Sequence, residues 1–176
     1  MKPKKISSKE VYRGRSFSVH SSELELPDKR QITRDVVLHS GAVVILPLQT
    51  DGSLVAVLQY RHSIDQIILE FPAGTLEKDE DPLDCAKREL AEETGLAASE
   101  WIKLGTLFPA PGFCNELQHL YLAKGLSKAS GELDEDEIIE VKILKIAEVE
   151  SAIKDNSLRD AKSLAIYLRA RLQGLI

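Results

Sequence analysis

An α/β fold, a mixed sheet with helices on both sides, is the class the sequence predicts, and three observations carry it. Stretches alternating apolar and polar residues flank turn signals at Pro27-Asp28 and Asp51-Gly52. One sharply bounded helix, from about Pro82 to Glu93, interrupts them, and more strand-like stretches follow. Helical periodicity returns at the end of the chain, where two helices close it. A length of 176 residues with 43% hydrophobic content supports one domain over residues 1–176 with a sizeable core.

The elements follow in order. "SFSVHSSELELPDKRQITRDVVLH" reads as two antiparallel strands around Pro27-Asp28 within the first forty residues. In "GAVVILPLQTDGSLVAVLQYR" the Asp51-Gly52 turn reads as a hairpin joining Ala42–Leu48 to Leu54–Tyr60. A strand near Gln66–Phe71 runs into the Pro72-Ala73-Gly74 loop. Asp81 then stands as N-cap, Pro82 as the first helical residue, and Gly95 as the stop about four turns later. Strands near Trp101–Phe108, Glu116–Ala123 and Ile139–Leu144 come next. The last helix, from about Ser157 to Leu172, is expected to bury Leu158, Ala161, Leu164, Ala165, Leu168 and Leu172.

Charge and composition exclude several functions. A net charge of −5 argues against nonspecific nucleic-acid or acidic-membrane binding, which needs clustered Lys and Arg. No apolar run approaches the length of a membrane span, and no signal-peptide core follows Met1. Two cysteines, Cys85 and Cys114, read as free thiols of a reducing compartment, so a cytoplasmic location is expected.

Residues 74–96, "GTLEKDEDPLDCAKRELAEETGL", concentrate eight carboxylates and three basic side chains, a net −5 that equals the charge of the whole chain. On a helix, Leu83, Ala86 and Leu90 form an apolar stripe, and Glu89, Glu92 and Glu93 fall on an arc beginning beside Ala86. Like charges so spaced repel, so a cation is expected between them. All-oxygen carboxylate clusters suit Mg²⁺ or Mn²⁺, and Mg²⁺ commonly completes its shell with substrate phosphates. No P-loop glycine run is present to hold phosphate by backbone alone.

Gly74, Glu80 and then Arg88-Glu89-Leu90-Ala91-Glu92-Glu93-Thr94-Gly95-Leu96 match the Nudix box at every defined position, and the chain resembles the Nudix hydrolase superfamily. The resemblance implies an α/β/α sandwich, the box forming a loop–helix–loop, and hydrolysis of a diphosphate. It implies that Glu89, Glu92 and Glu93, with the carbonyl of Ala73, hold two or three Mg²⁺ ions, Mn²⁺ being a possible substitute. Arg88 would orient the glutamates through ion pairs.

Flanking stretches resemble the ADP-ribose pyrophosphatase and nucleoside-diphosphate-sugar branch: "QYR" ending at Arg61, "LEFPAG" containing Glu70, and "PAPGFCNE", whose Pro111 lies sixteen residues past Gly95. Arg61, Glu70, Pro111, Phe113 and Glu116 are therefore candidate substrate contacts. Several relatives in this branch stack the base on tryptophans near the N-terminus; here Trp101 is the only tryptophan, so Phe17 or Tyr12 takes that role and GDP-mannose stays open beside ADP-ribose. Residues 1–40 resemble strands that cross over in a homodimer, leaving 41–176 as catalytic core.

"GELDEDEIIEV", Gly131 to Val141, reads by itself as a solvated acidic loop entering a strand. The resemblance places the proton acceptor in a loop here, with "EIIEV" aligning Glu137 at that position and Glu135 next. The catalytic group is then Glu137, Glu135, Glu92 and Arg88. Two readings of other classes compete: a noncatalytic Nudix-fold binding module, which would not need every acid of the box, and a calcium-binding structural protein, for which no EF-hand spacing is present.

Overall fold

The computed structural model describes residues 2–129 and 138–176; Glu135 and Glu137 lie outside them. The chain forms two compact units, Met1–Gly41 with Phe108–Leu117, and Ala42–Leu107 with Gln118–Ile176.

The first unit is an antiparallel sheet of β1 (Lys4–Arg13), β2 (Phe17–Glu25) and β3 (Gln31–His39), in that order. Three strands stand where two were expected. The additional one, β1, is exposed along its whole length and carries no apolar alternation to betray it. Pairing with β2 defines it, for instance through the Ser8 and Ser22 hydroxyls 2.9 Å apart. The turn between β2 and β3 places Lys29 in the left-handed region at φ 70°. The 108–117 segment joins this unit along β3: Val37 N–H donates to Phe113 O at 2.7 Å, and Asn115 N–H to Val37 O at 3.1 Å.

The second unit contains β4 (Ala42–Pro47), β5 (Leu54–Arg61), β6 (Gln66–Glu70), β7 (Ala73–Thr75), α1 (Pro82–Thr94), β8 (Leu96–Leu107), β9 (Gln118–Lys128), β10 (Ile139–Leu144), α2 (Ile146–Lys154) and α3 (Ala161–Leu172). A mixed sheet runs β7-β4-β9-β8, parallel only between β4 and β9, and a second, antiparallel sheet runs β10-β5-β6. The Asp51-Gly52 turn forms, with Gly52 N–H on Gln49 O at 3.0 Å, but it does not close a continuous hairpin. Only Leu48 and Leu54 pair across it; β4 then enters the mixed sheet and β5 the other. The physical reason is in β4, "AVVILP", buried at all six positions: a strand apolar on both faces seeks the middle of a covered sheet.

Alternation along β4 and β9 sorts the core. Val43, Ile45, Tyr121 and Ala123 pack with Cys85, Ala86 and Leu90 of α1. Val44, Leu46, Leu120 and Leu122 face the other way, into a cluster with Leu54, Ala56, Phe71, Val149, Ile166, Tyr167 and Ala170. Helix α1 covers one face and α2 with α3 the other, the α/β/α arrangement expected. Helix α3 starts later than expected, so Leu158, buried as expected, precedes it; the helix itself is turned about its axis, burying Ser163, Ile166, Tyr167 and Ala170, with Leu164 and Ala165 half-buried, Ala161 exposed, and Leu168 and Leu172 57% and 79% exposed. No helix among the described residues is long and apolar enough to cross a membrane.

Candidate active site

Helix α1 is fixed at both ends before it carries any chemistry. Asp81 Oδ1 accepts the Leu83 N–H at 2.8 Å, Pro82 opens the helix, and Gly95 ends it at φ 66°, its N–H on Ala91 O at 2.9 Å. Those caps and the apolar stripe set the rotation that brings Glu89, Glu92 and Glu93 to the rim of the buried face.

Each acid has a defined environment. Glu93 is buried, 3% exposed, and its Oε2 accepts the Ala73 N–H at 3.2 Å. Glu89 lies against Gly74 so closely that a Cβ added there would sit 1.8 Å from the Glu89 carboxyl carbon. The glycine of the box is thus required by close approach of a carboxylate, since its backbone is not in the left-handed region. Arg88 ties the group together: Nη1 donates to Glu89 at 2.8 Å and Glu92 at 2.9 Å, while Nε and Nη2 donate to Glu80 at 3.0 and 3.1 Å. That guanidinium holds the Glu80 carboxyl below its ordinary range, and Arg88 in turn titrates higher than an isolated arginine, with Glu80 the main cause. Burial pushes the thiol of Cys85, which accepts from Arg88 Nη2 at 3.4 Å, well up and so disfavours its thiolate form.

Among the described residues no three His, Cys, Asp or Glu side chains converge into a ready-made metal cage. The donor chemistry nevertheless fits a hard divalent cation: oxygens only, on adjacent helical positions, with Arg88 bridging carboxylates that would otherwise repel.

A second cluster stands at the end of β6. Glu70, which could have been a surface strand residue, is 1% exposed. Arg61 embraces it with Nε and Nη2 at 2.8 and 2.6 Å, and Lys162 donates to the same carboxylate. Burial opposes the charged form of Glu70, but the Arg61 hydrogen bonds and Lys162 outweigh it and hold the carboxyl below its ordinary range. The loop between the clusters is pinned residue by residue. Phe71 N–H donates to Ser163 Oγ at 2.8 Å, Ile45 N–H to Pro72 O at 2.8 Å, and Ala73 N–H to Glu93.

Phe17, Pro111, Phe113 and Glu116 belong to the first unit, whereas Arg61, Glu70, Ala73, Arg88, Glu89, Glu92 and Glu93 belong to the second. Phe17 and Tyr12 form an exposed tilted pair with ring centroids 6.0 Å apart, and Phe113 is exposed too. Glu135 and Glu137 lie outside the described residues. The sequence reading did not single out Asp160, Lys162 or Ser163. Their spacing within an ordinary amphipathic helix gave no signal; only a buried acid 92 residues earlier makes Lys162 notable.

Comparison with known proteins identifies the family. The family model for the NUDIX domain matches residues 38–165. The chain belongs to the Nudix family. A methanol dehydrogenase activator of Bacillus methanolicus is 38% identical over 97% of this chain and 93% of its own. An ADP-ribose pyrophosphatase of Bacillus subtilis is 34% identical over 93% of this chain and 89% of its own. The crystal structure of an ADP compounds hydrolase superposes with a TM-score of 0.87, covering 100% of this chain and 98% of that one at 24% identity. As a Nudix hydrolase the chain belongs to enzymes that work with a divalent metal.

Proposed function

We propose that this chain hydrolyses the diphosphate bond of a nucleoside diphosphate sugar, ADP-ribose foremost, giving AMP and ribose 5-phosphate. The observation that carries the reading is the complete acid face of α1 seated on a glycine that only a bare backbone lets it reach. The Bacillus subtilis relative supports the substrate class. Glu89, Glu92, Glu93 and the Ala73 carbonyl would hold the metal, for which we assign two or three Mg²⁺ with Mn²⁺ as substitute. Such ions neutralise charge on the nonbridging oxygens and the departing phosphate.

In the reaction one water adds its oxygen to phosphorus, the bridging P–O bond breaks, and the departing phosphate keeps that electron pair. A carboxylate takes the proton of the water, and Glu137, then Glu135, is our assignment on sequence alone. Arg88 orients the acids. Arg61 faces the diphosphate with Glu70 behind it, and Phe17, Pro111, Phe113 and Glu116 serve nucleoside and sugar, an assignment that rests on resemblance. We further assign the working form as a homodimer formed through the N-terminal strands, and the cytoplasm as its location.

The test is turnover of ADP-ribose, GDP-mannose, UDP-glucose and diadenosine polyphosphates with Mg²⁺ and then Mn²⁺, products separated by chromatography. ADP-ribose should be preferred. Glu93→Gln, whose amide oxygen can still accept the Ala73 N–H, should remain folded yet lose at least about 10²-fold in kcat, and Glu137→Gln should lose about 10²–10⁴-fold. Normal turnover by Glu93→Gln would remove the assignment.

The Bacillus methanolicus relative gives a second reading, that the same hydrolytic site serves to activate another enzyme. Stimulation of a methanol dehydrogenase by the wild type but not by Glu93→Gln would support it; equal stimulation by both would separate activation from hydrolysis.

A further inference from the structure

The carboxylate at the end of β6 has one cation more than it needs. Its two oxygens already accept Nε and Nη2 of Arg61 at 2.8 and 2.6 Å, a complete pair of zero net charge. Lys162 nevertheless donates to Oε2 as well. Burying a third charge is costly, so its position calls for a reason.

The two cations differ in what else they face. The Lys162 side chain is 13% exposed and also lies 3.1 Å from Asp160 Oδ2. The Arg61 side chain keeps 35% exposure and uses only its Nε and Nη2 edge on Glu70. Arg61 Nη1 has no hydrogen-bond partner among the described residues, although the charges of Glu93 and Asp160 lie near enough to offset part of its own. Arg61 is therefore the member available to an anion beside the acid site.

The support comes from the first turn of α3. Asp160 caps that helix, accepting Ser163 N–H at 2.9 Å and Ser163 O–H at 2.6 Å, and Ser163 Oγ accepts the Phe71 N–H. One turn of helix thus grips both Glu70 and the residue after it. The other charge on Lys162, Asp160, is itself offset by the helix N-terminus it caps.

From this geometry we infer that Lys162 is a positioning residue for the diphosphate contact at Arg61, fixing the plane of Glu70 and keeping the charge of Arg61 incompletely cancelled toward an anionic substrate. Without Lys162 the Glu70 carboxylate would neutralise Arg61 alone and could turn about its last torsion, carrying the guanidinium with it. The inference rests on the hydrolase reading above and extends it to a residue of α3, far outside the box.

Steady-state kinetics on ADP-ribose test it. Lys162→Met should raise KM about tenfold with kcat changed less than about threefold, the pattern of lost binding common to ground and transition states. In an Arg61→Gln background the same substitution should add less than about twofold, because its route to substrate is gone. Lys162→Arg should restore most of the KM. Should Lys162→Met fail to fold, Lys162→Gln keeps a donor without the charge and should still raise KM about threefold. Unchanged KM in either variant, a fall in kcat alone, or equal effects with and without Arg61 would overturn the inference while the wild type remains active. A wild type that hydrolyses no nucleoside diphosphate sugar would overturn the functional reading and this inference together.

Discussion

Gly74 and Glu89 show how one backbone position controls the acid site. A methyl group at 74 would meet the Glu89 carboxylate, its Cδ at 1.8 Å and its oxygens at 1.9 and 2.2 Å. Those atoms are the far end of a flexible side chain, so the clash is relieved by moving the carboxylate and not the strand. Gly74→Ala is therefore expected to fold, with a midpoint within a few degrees of wild type, while losing at least about 10²-fold in kcat as Glu89 leaves its place beside Arg88. Thermal unfolding and turnover on one preparation check this; retained turnover would show that Glu89 is not needed where it stands. The acid arc was legible from helical spacing and the rest of the box from its match to the Nudix pattern, whereas the reason for Gly74 lies in the approach of Glu89 from a separate element, and Gly95 stands at a left-handed φ of 66°. Glu70 was legible only as a candidate, since nothing local distinguishes a buried strand acid from an exposed one until Arg61 and Lys162 close on it.

At the scale of elements, caps and burial explain what could be read ahead of the fold and what could not. Helix α1 begins at Pro82 and ends at Thr94, close to expectation, because Asp81, Pro82 and Gly95 act locally. Helix α3 misled because its leucines, Leu164, Leu168 and Leu172, share one stripe, while Ile166, Tyr167 and Ala170 make a second apolar stripe on the other side. Which side turns inward is decided by its first turn, where Ser163 and Lys162 are held against Phe71 and Glu70, elements distant in sequence. The pairing of β4 with β9 instead of β5 has the same origin, a partner 70-odd residues away. The orientation of α3 has a direct stability test. Ile166, fully buried, should cost about 2–5 kcal/mol when changed to alanine, whereas Leu172→Ala should fall within about 0.5 kcal/mol of wild type. Chemical denaturation of both variants measures the difference, and comparable losses would mean that the leucine face is the buried one.

For the whole molecule the open matter is what covers β1. Ten consecutive residues, Lys4–Arg13, form an edge strand exposed at every position, and Ile6, Val11 and Tyr12 are among them. Among the described residues one row of its backbone groups has no strand beside it, and such an edge promotes association unless it is covered or blunted. Lysines at 4, 5 and 9 blunt it in part, but the strand gains little from burial, so its pairing with β2 alone is a weak reason for ten ordered residues. A second copy of the same chain offers a two-fold-related edge of matching pattern, which is how most homo-oligomers close without leaving a further edge. The wild type should therefore sediment as a dimer. Removing residues 2–15, which carry β1 but leave β2 and β3 whole, should give a monomer. Removing residues 2–38 should give a poorly soluble, inactive chain, because it also strips β2 and all but the last residue of β3, the strand along which residues 108–117 are held. Sedimentation velocity over a range of concentrations decides the matter: a wild-type monomer, or a dimer that persists after β1 is removed, would place the interface elsewhere or nowhere.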